Sequence, residues 1–207
     1  MIAERFGCTA DGIFVEIGAF DGELCSNTSF LADLGWRGVY VEPIPEYAAA
    51  CAARHRHNPG ISVLQCAVGP AEQMTTLQVG NVLTTADAET AQAYGQIEWA
   101  KGFLKGETVS VRQVRLEAIL QNEGIPVGFD LLVVDVEGGE EGVFMSFDLA
   151  SWKPSMIIVE LEDEEPSMQP FPSLTARAAR VRDLIRRHGY SAIYRDTINT
   201  VFWAAAA

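Results

Sequence analysis

The chain of 207 residues is acidic, with 28 Asp and Glu against 15 Lys and Arg, and this charge limits what it can bind. A net charge of −13 argues against a nucleic-acid-binding surface, because such surfaces carry basic patches. With 48% hydrophobic residues the chain is too apolar to be disordered, and its apolar runs are shorter than the roughly 20 residues that span a bilayer. The composition therefore predicts a single globular domain over residues 1–207 without a membrane span.

The cysteines and the first residues of the chain indicate its cellular compartment. Cys8, Cys25, Cys51 and Cys66 form no CxxC pair and match no zinc spacing, which favours reduced thiols. The chain opens on the polar sequence MIAER rather than on an apolar signal sequence. Both features predict a cytoplasmic protein.

Short apolar strands alternate with helices along most of the chain, which predicts a parallel sheet covered on both faces. Strands are predicted over residues 12–18, 38–43, 61–67, 75–79, 108–114, 129–135, 155–161, 191–195 and 200–203. Helices are predicted over residues 28–34, 45–56, 88–94, 115–121, 140–147 and 174–188. The last two strands follow each other directly, so we expect an antiparallel hairpin at one edge of the sheet.

Residues 81–106 interrupt this alternation, with weak periodicity and only one short predicted helix. Long irregular connections often form lids or binding loops, so this segment is the candidate substrate lid. Its aromatic and lysine side chains could hold a sugar or an acidic molecule, or the rings could instead dock the segment onto the core. These side chains are Tyr94, Trp99, Lys101, Phe103 and Lys105.

Acidic side chains end four of the five strands that are predicted to be parallel. They are Glu16, Glu42, Asp135 and Glu160. Ligands of such sheets bind beyond the carboxyl ends of the strands, and a charge at the end of a buried strand is unfavourable without a partner. We therefore expect the functional site at this edge. The three histidines (His55, His57 and His188) lie instead near predicted helix ends, where structural roles are favoured.

The loop after the first strand reads EIGAFDG over residues 16–22, and its two glycines permit a tight turn. A dinucleotide fingerprint would have a second glycine where Phe20 stands, and Glu16 and Asp21 favour a cationic ligand over a phosphate. Glu42 follows Gly18 by 24 residues, close to the spacing of an acid that holds a ribose. An NAD-dependent oxidoreductase is therefore the weaker alternative for this fold class.

Several short sequence blocks follow one another along the chain: FVEIGAFDG at 14–22, SNT at 26–28, GWRGVYVEP at 35–43, DLLVVDVEGGE at 130–140, IIVE at 157–160, GY at 189–190 and NTVF at 199–202. In order and spacing these blocks resemble the FkbM family of class I S-adenosylmethionine-dependent methyltransferases, over nearly the whole chain. Two departures are Val133, where lysine is frequent, and Gly139, where alanine is commoner.

The resemblance implies a Rossmann-like, doubly wound α/β sheet of seven strands in the order 3-2-1-4-5-7-6, with one antiparallel strand inserted at the edge. It also implies methyl transfer from S-adenosylmethionine, commonly to a hydroxyl of a sugar or natural-product-like small molecule. The implied cofactor-binding residues are Glu16, Gly18, Ala19, Phe20, Asp21, Gly22, Ser26, Asn27, Glu42, Pro43, Ile44, Cys66, Ala67 and Asp135. Among them, Glu42 would hold the ribose, and Ile44, Cys66 and Ala67 would bracket the adenine.

Three acids are the catalytic candidates. Asp135 would contact the acceptor, because it ends the strand nearest the transferred methyl, and Glu137 and Glu160 could assist it. Asp135 and Glu160 could also hold Mg²⁺, which would lower the pKa of the acceptor hydroxyl. In the alternative interpretation, Glu137 and Glu140 only support the loop at the start of the next helix.

The predicted partner is a small molecule with a hydroxyl group rather than nucleic acid, since the chain is acidic and has no base-methylating motif. The sequence is also compatible with a homo-oligomer. A non-catalytic binding or interaction domain that keeps the same fold is the alternative to an enzyme.

Overall fold

A seven-stranded sheet forms the centre of the computed structural model, which describes residues 2–7 and 11–205. The strands of the described chain are β1 (Ile13–Ile17), β2 (Arg37–Val41), β3 (Ile61–Leu64), β4 (Ala67–Val68), β5 (Gln73–Gln78), β6 (Thr108–Val114), β7 (Leu131–Val134), β8 (Met156–Glu160), β9 (Tyr190–Arg195) and β10 (Asn199–Ala204). The helices are α1 (Ile2–Phe6), α2 (Ser29–Asp33), α3 (Pro45–His55), α4 (Ala88–Tyr94), α5 (Leu116–Asn122), α6 (Glu140–Phe144), α7 (Leu149–Trp152) and α8 (Pro172–Arg187). Two 3-10 helices lie between β8 and α8, over Glu162–Glu164 and Pro166–Met168.

The strand order of the central sheet is β3-β2-β1-β7-β8-β10-β9. Numbered within this sheet, the order is 3-2-1-4-5-7-6, which confirms the expected topology. The first five strands in this order are parallel, and β10 runs antiparallel to both of its neighbours. The carboxyl ends of β1, β2, β7 and β8 therefore meet at one edge of the sheet, where ligands of such folds bind.

Both faces of the sheet are buried, which explains why its central strands are apolar throughout rather than alternating. One face packs Val15, Val134 and Val159 into the larger core cluster. The opposite face packs Phe14, Val133 and Ile158 into the second cluster. Of the described helices, none is long and apolar enough to cross a membrane.

A second, three-stranded sheet corrects the sequence prediction of the third strand. That strand was expected over residues 61–67, but β3 ends at Leu64 and the chain then leaves the central sheet. Ala67–Val68 pairs instead with β6, which also pairs antiparallel with β5. Cys66 therefore lies between the two sheets rather than at the end of a central strand.

The sequence analysis did not predict four short helical elements, namely α1, α7 and the two 3-10 helices. Each has at most five residues, so its periodicity is weak. The helix predicted over residues 174–188 is present as α8, and one of its arginines is buried. Arg182 is only 7% exposed. Its guanidinium donates to both carboxylate oxygens of Asp163, which also accepts from Arg195 at 3.0 Å.

Replacing Arg182 by methionine should lower the free energy of unfolding by about 1.5–3 kcal/mol, because the partly buried Asp163 carboxylate would lose its bidentate partner and keep only Arg195. Urea unfolding measures the change. Arg180→Met is the matched control on the same helix, since Arg180 pairs with Glu141 but its side chain is 55% exposed. Equal losses in the two variants would contradict a stabilising role for the buried pair.

Candidate active site

A pocket of about 900 Å³ opens at the carboxyl edge of the central sheet, beside the ends of β1, β2 and β7. Residues 81, 82, 84 and 86 of the predicted lid also line it. Ten of the fourteen predicted cofactor residues line this pocket: Glu16, Gly18, Ala19, Phe20, Ser26, Glu42, Pro43, Cys66, Ala67 and Asp135. The pocket is thus continuous from the glycine loop to the acidic end of β7.

The other four predicted cofactor residues lie behind the lining rather than in it. The Asp21 carboxylate accepts the N–H groups of Glu23 and Leu24, at 2.9 and 2.8 Å, and so shapes the loop. Ile44 is buried beneath the pocket in a small cluster with Ala67. The remaining two also face protein groups: Gly22 packs on α3, and the Asn27 N–H points at Glu16.

Gly18 is required by the close approach of two strand ends. Its φ is +88°, and a Cβ built there would lie 1.6 Å from the carbonyl oxygen of Asp135. Its N–H donates to the Val41 carbonyl at 2.9 Å. The loop after β1 is therefore wedged between the ends of β2 and β7, and only glycine fits there.

Glu16 is buried at the floor of the pocket and collects the groups that follow the glycine loop. Its carboxylate accepts from Ser26 Oγ at 3.0 Å, from the Asn27 N–H at 3.4 Å and from Thr28 Oγ1. Burial raises the pKa of Glu16 to about 7, against the lowering effect of these bonds. Thr28 was not predicted as a site residue, although it lies in the matching SNT block.

Glu42 is the second buried acid of the pocket. One carboxylate oxygen accepts the Phe20 N–H and the other accepts the Ile44 N–H, each at 2.9 Å. Burial raises the pKa of Glu42 to about 7. Each oxygen keeps a further acceptor position, so the carboxylate can still bind hydroxyl groups in the pocket.

The three predicted catalytic acids lie together at the ends of β7 and β8. Oxygen atoms of Asp135, Glu137 and Glu160 all lie within 4.8 Å of one another. Burial raises the pKa of all three carboxyls, and repulsion from Asp135 adds to the rise at Glu137 and Glu160. Glu140 and Glu162 lie beside them with pKa values of about 7 and about 8, again raised mainly by burial. The cluster therefore retains protons near neutral pH.

Residues of the predicted lid make three contacts with the turn at Glu137 and Gly138. The Tyr94 hydroxyl donates to its carboxylate, and Thr85 Oγ1 donates to its carbonyl at 2.7 Å. A Cβ at Gly138 would lie 2.1 Å from Thr90 Oγ1, so the next residue is also in tight contact. Tyr94 is fully buried and does dock this part of the segment, whereas the Trp99 side chain stays 49% exposed. The lid itself stays a prediction.

Strained backbone is concentrated around the pocket. Four lining residues other than glycine have positive φ, namely Phe20 (47°), Cys25 (62°), Asn81 (56°) and Glu137 (51°). Such conformations are costly and persist where surrounding contacts enforce them, which is typical of functional sites. The Phe20 ring packs on Tyr47, with ring centroids 4.4 Å apart.

A second pocket of about 450 Å³ shares Glu137 with the first. Glu160 and Glu162 line its acidic wall, and Met168 and Leu174 line its apolar wall. Its arginine, Arg177, is held by two bonds to Asp87, at 2.6 and 2.8 Å. The acids thus lie where the larger pocket adjoins the smaller one.

The described cysteines form no disulfide with one another. Cys25, Cys51 and Cys66 are free thiols, while Cys8 lies outside the described residues. Burial raises the pKa of Cys51 to about 12 and that of Cys66 to about 11. Both buried thiols are therefore protonated and poor nucleophiles at neutral pH.

The free energy of unfolding should fall as pH rises from about 5 to about 8, because the raised pKa values make the folded chain bind more protons than the unfolded chain. Glu162 has a pKa of about 8 when folded, against an ordinary 4.5, so it holds its proton only in the folded state between those values. Glu162→Gln should flatten the slope by up to about 1.4 kcal/mol per pH unit.

Urea unfolding at several pH values measures this slope. Glu164→Gln removes an exposed charge from the same 3-10 helix, where the Glu164 side chain is 52% exposed, and controls for the loss of one net charge. A stability that rises with pH over this range would refute a proton-retaining acid cluster.

Solved structures of methyltransferases share this architecture. The chain matches the methyltransferase FkbM of Methylobacillus flagellatus KT with TM-score 0.52 and 12% identity, over 94% of this chain and 44% of that one. It matches a putative O-methyltransferase of Klebsiella pneumoniae with TM-score 0.52 and 14% identity, over 99% and 78%. The SAH-bound methyltransferase of Podospora anserina matches with TM-score 0.52 and 12% identity, over 94% and 72%. At these identities the likeness concerns the fold.

Sequence comparison identifies the family more directly. The chain spans less than half of the length of the solved FkbM methyltransferase. No curated protein matches the chain. The family model described as the methyltransferase FkbM domain matches residues 16–192, which is most of the chain. The chain therefore belongs to the FkbM methyltransferase family.

Proposed function

We propose that this chain transfers a methyl group from S-adenosylmethionine to a hydroxyl oxygen of a small, sugar-like or natural-product-like molecule. The observation that carries the proposal is the juxtaposition at Gly18, where the loop beside the Glu42 carboxylate touches the strand end that bears Asp135. A nucleoside site and a cluster of proton-accepting groups thereby share one pocket. Membership of the FkbM family supports methyl transfer as the reaction.

The residues present fit S-adenosylmethionine. The Glu42 carboxylate has acceptor positions for two ribose hydroxyls, and the small side chains of Cys66 and Ala67 offer a flat apolar wall for adenine. The carboxyls of Glu16 and Asp135 suit a ligand that carries positive charge, because a sulfonium would favour their ionised forms. When bound, this cofactor supplies an electrophilic methyl group on its sulfonium sulfur.

The acids at the ends of β7 and β8 provide the base. Asp135 lines the cofactor pocket, Glu160 lines the second pocket, and Glu137 lines both. An acceptor in the second pocket would therefore present its hydroxyl to these carboxyls. The Asp135 carboxylate would accept the proton of the acceptor hydroxyl as that oxygen is methylated. A pKa raised toward neutrality makes a carboxylate a better general base.

The second pocket also suits the proposed acceptor class. Its acidic wall can accept hydrogen bonds from hydroxyl groups, and Met168 and Leu174 can pack against the apolar face of a sugar ring. The same three oxygens could instead ligate Mg²⁺, with the metal lowering the pKa of the hydroxyl. We assign the base function to the carboxyls. Removal of divalent metal ions with EDTA tests the alternative.

Two other readings are weaker. For an NAD-dependent oxidoreductase, the site would have to hold a pyrophosphate next to the buried acids Glu16 and Glu42. For a non-catalytic binding domain, the three clustered acids would be an unexplained cost, since buried like charges repel. Calorimetric titration with S-adenosylmethionine and with NAD⁺ distinguishes a methyltransferase from an oxidoreductase. A search for methylated product distinguishes an enzyme from a non-catalytic binding domain.

Glu42→Gln should weaken S-adenosylhomocysteine binding about 10-fold to 100-fold. The amide carries no negative charge, and only one of its two terminal atoms can accept a hydrogen bond. Isothermal titration calorimetry measures the dissociation constant. Glu46→Gln, an exposed acid in the first turn of α3, is the control and should bind like the wild type. Undiminished affinity in Glu42→Gln would remove Glu42 from the site.

Asp135→Asn should lower methyl transfer by about 100-fold or more while leaving S-adenosylhomocysteine affinity within a few-fold, because it removes the proton acceptor and keeps the shape. The assay follows label from methyl-labelled S-adenosylmethionine into a panel of sugars and hydroxylated natural products.

Glu141→Gln controls for charge, since Glu141 pairs with Arg180 on the surface. Turnover unchanged in Asp135→Asn would exclude Asp135 as the base. Dialysis against EDTA followed by added Mg²⁺ completes the experiment: activity that disappears and returns would assign the three oxygens to a metal.

A further inference from the structure

His55 lies directly beneath the glycine loop. It occupies the last turn of α3 and is 1% exposed. Its Nε2 atom lies 2.8 Å from the carbonyl oxygen of Gly22, on the side of the loop that faces away from the pocket. A structural role was expected from its place at a helix end, but this contact connects α3 to the cofactor loop.

The contact fixes the tautomer of the ring. A carbonyl oxygen only accepts, so Nε2 carries the hydrogen and donates it to Gly22. Nδ1 is then a bare acceptor, and it is buried without a partner in the described chain. Burial also lowers the pKa of His55, which keeps the ring neutral. A neutral ring with hydrogen on Nε2 is the form that supports the loop.

Packing holds the ring in this orientation. The imidazole stacks on the Tyr40 ring, with centroids 4.6 Å apart and planes 14° from parallel. Gly22 has φ of +75°, and a Cβ there would lie 2.8 Å from His55 Nε2 and 2.7 Å from Cys51 Sγ. The loop backbone therefore rests on the imidazole with no room for a side chain between them.

The hydrogen bond from His55 complements a turn that the loop makes by itself. The Gly22 N–H donates to the Ala19 carbonyl at 2.8 Å, which closes the turn on one side. The Gly22 carbonyl, on the other side, is bound by the imidazole. Ala19 and Phe20, inside this turn, line the pocket, and the Phe20 N–H reaches Glu42.

We propose that His55 is a positioning residue for the cofactor: its Nε2–H holds the Gly22 carbonyl and so keeps residues 18–22 in the shape that lines the pocket. The inference rests on the proposed function, because it assigns that fixed shape to S-adenosylmethionine binding. His55 touches neither the cofactor nor the acceptor. It acts through the loop backbone.

The test compares two substitutions at this position. His55→Phe keeps a flat ring to stack on Tyr40 but has no donor. It should weaken S-adenosylhomocysteine binding about 5-fold to 30-fold by calorimetry and speed amide hydrogen exchange over residues 18–26 in the free protein. His55→Gln places an amide N–H near the position of Nε2, and it should recover most of the affinity and the exchange protection.

Tyr190→Phe is the matched control. The Tyr190 hydroxyl is buried and donates to the Pro154 carbonyl at 2.7 Å, beside the amino end of β8 and away from the pocket. Its loss should lower the melting temperature as other buried hydrogen-bond deletions do, without changing S-adenosylhomocysteine affinity. A purely structural His55 would behave in the same way as this control.

The outcomes separate the two proposals. If the wild type does not bind S-adenosylhomocysteine, the proposed function fails, and the positioning role fails with it. If the wild type binds and His55→Phe binds equally well, only the role of His55 is overturned. Long-range ¹⁵N NMR of the wild-type imidazole gives a test without any substitution: a protonated ring or hydrogen on Nδ1 at pH 7 would also overturn it.

Discussion

The close approach of the Gly18 backbone to the Asp135 carbonyl is the constraint on which the rest of the site depends. No side chain fits between them, and the Gly18 N–H is bonded on its other side to the end of β2. Three strand ends are thereby drawn into contact at the point where the strand order of the sheet reverses. Because of this contact, Glu42 at the end of β2 and the acids Asp135 and Glu137 beyond β7 line one pocket.

The acids of this chain differ in whether they form ion pairs with arginine, and this difference distinguishes the acids of the pocket from the others. Acids outside the pocket are neutralised by helix α8, through Arg177 with Asp87, Arg180 with Glu141 and Arg182 with Asp163. No ion pair reaches Asp135 or Glu160 within the described chain, and their pKa values are raised instead. The site therefore meets neutral pH partly protonated, which suits it to a cationic ligand and to proton transfer.

The sequence was sufficient to predict the central sheet and the acids at its edge, because both follow from local patterns: buried runs of apolar residues, and charges at their ends. It could not predict that Cys66 would lie between two sheets, since the exit of the chain after Leu64 depends on pairing with β6, more than 40 residues away. It also missed the supports of the site. His55 and Thr85 contact distant loops, and nothing in their own neighbourhood marks them, whereas Thr28 lies in the SNT block and could have been found there.

Tyr94, Thr85 and Thr90 contact the turn at Glu137 and Gly138. These contacts divide residues 81–106 into two parts that tolerate substitution to different degrees. The first part, up to Tyr94, is tied to the acids and must keep its residues for the turn to keep its shape. The second part buries Ile97 and Ala100 in the same apolar cluster as Tyr94, and it leaves Trp99 and Phe103 exposed. Substitutions at Trp99 or Phe103 can therefore alter the surface of this segment while the turn at Glu137 keeps its shape.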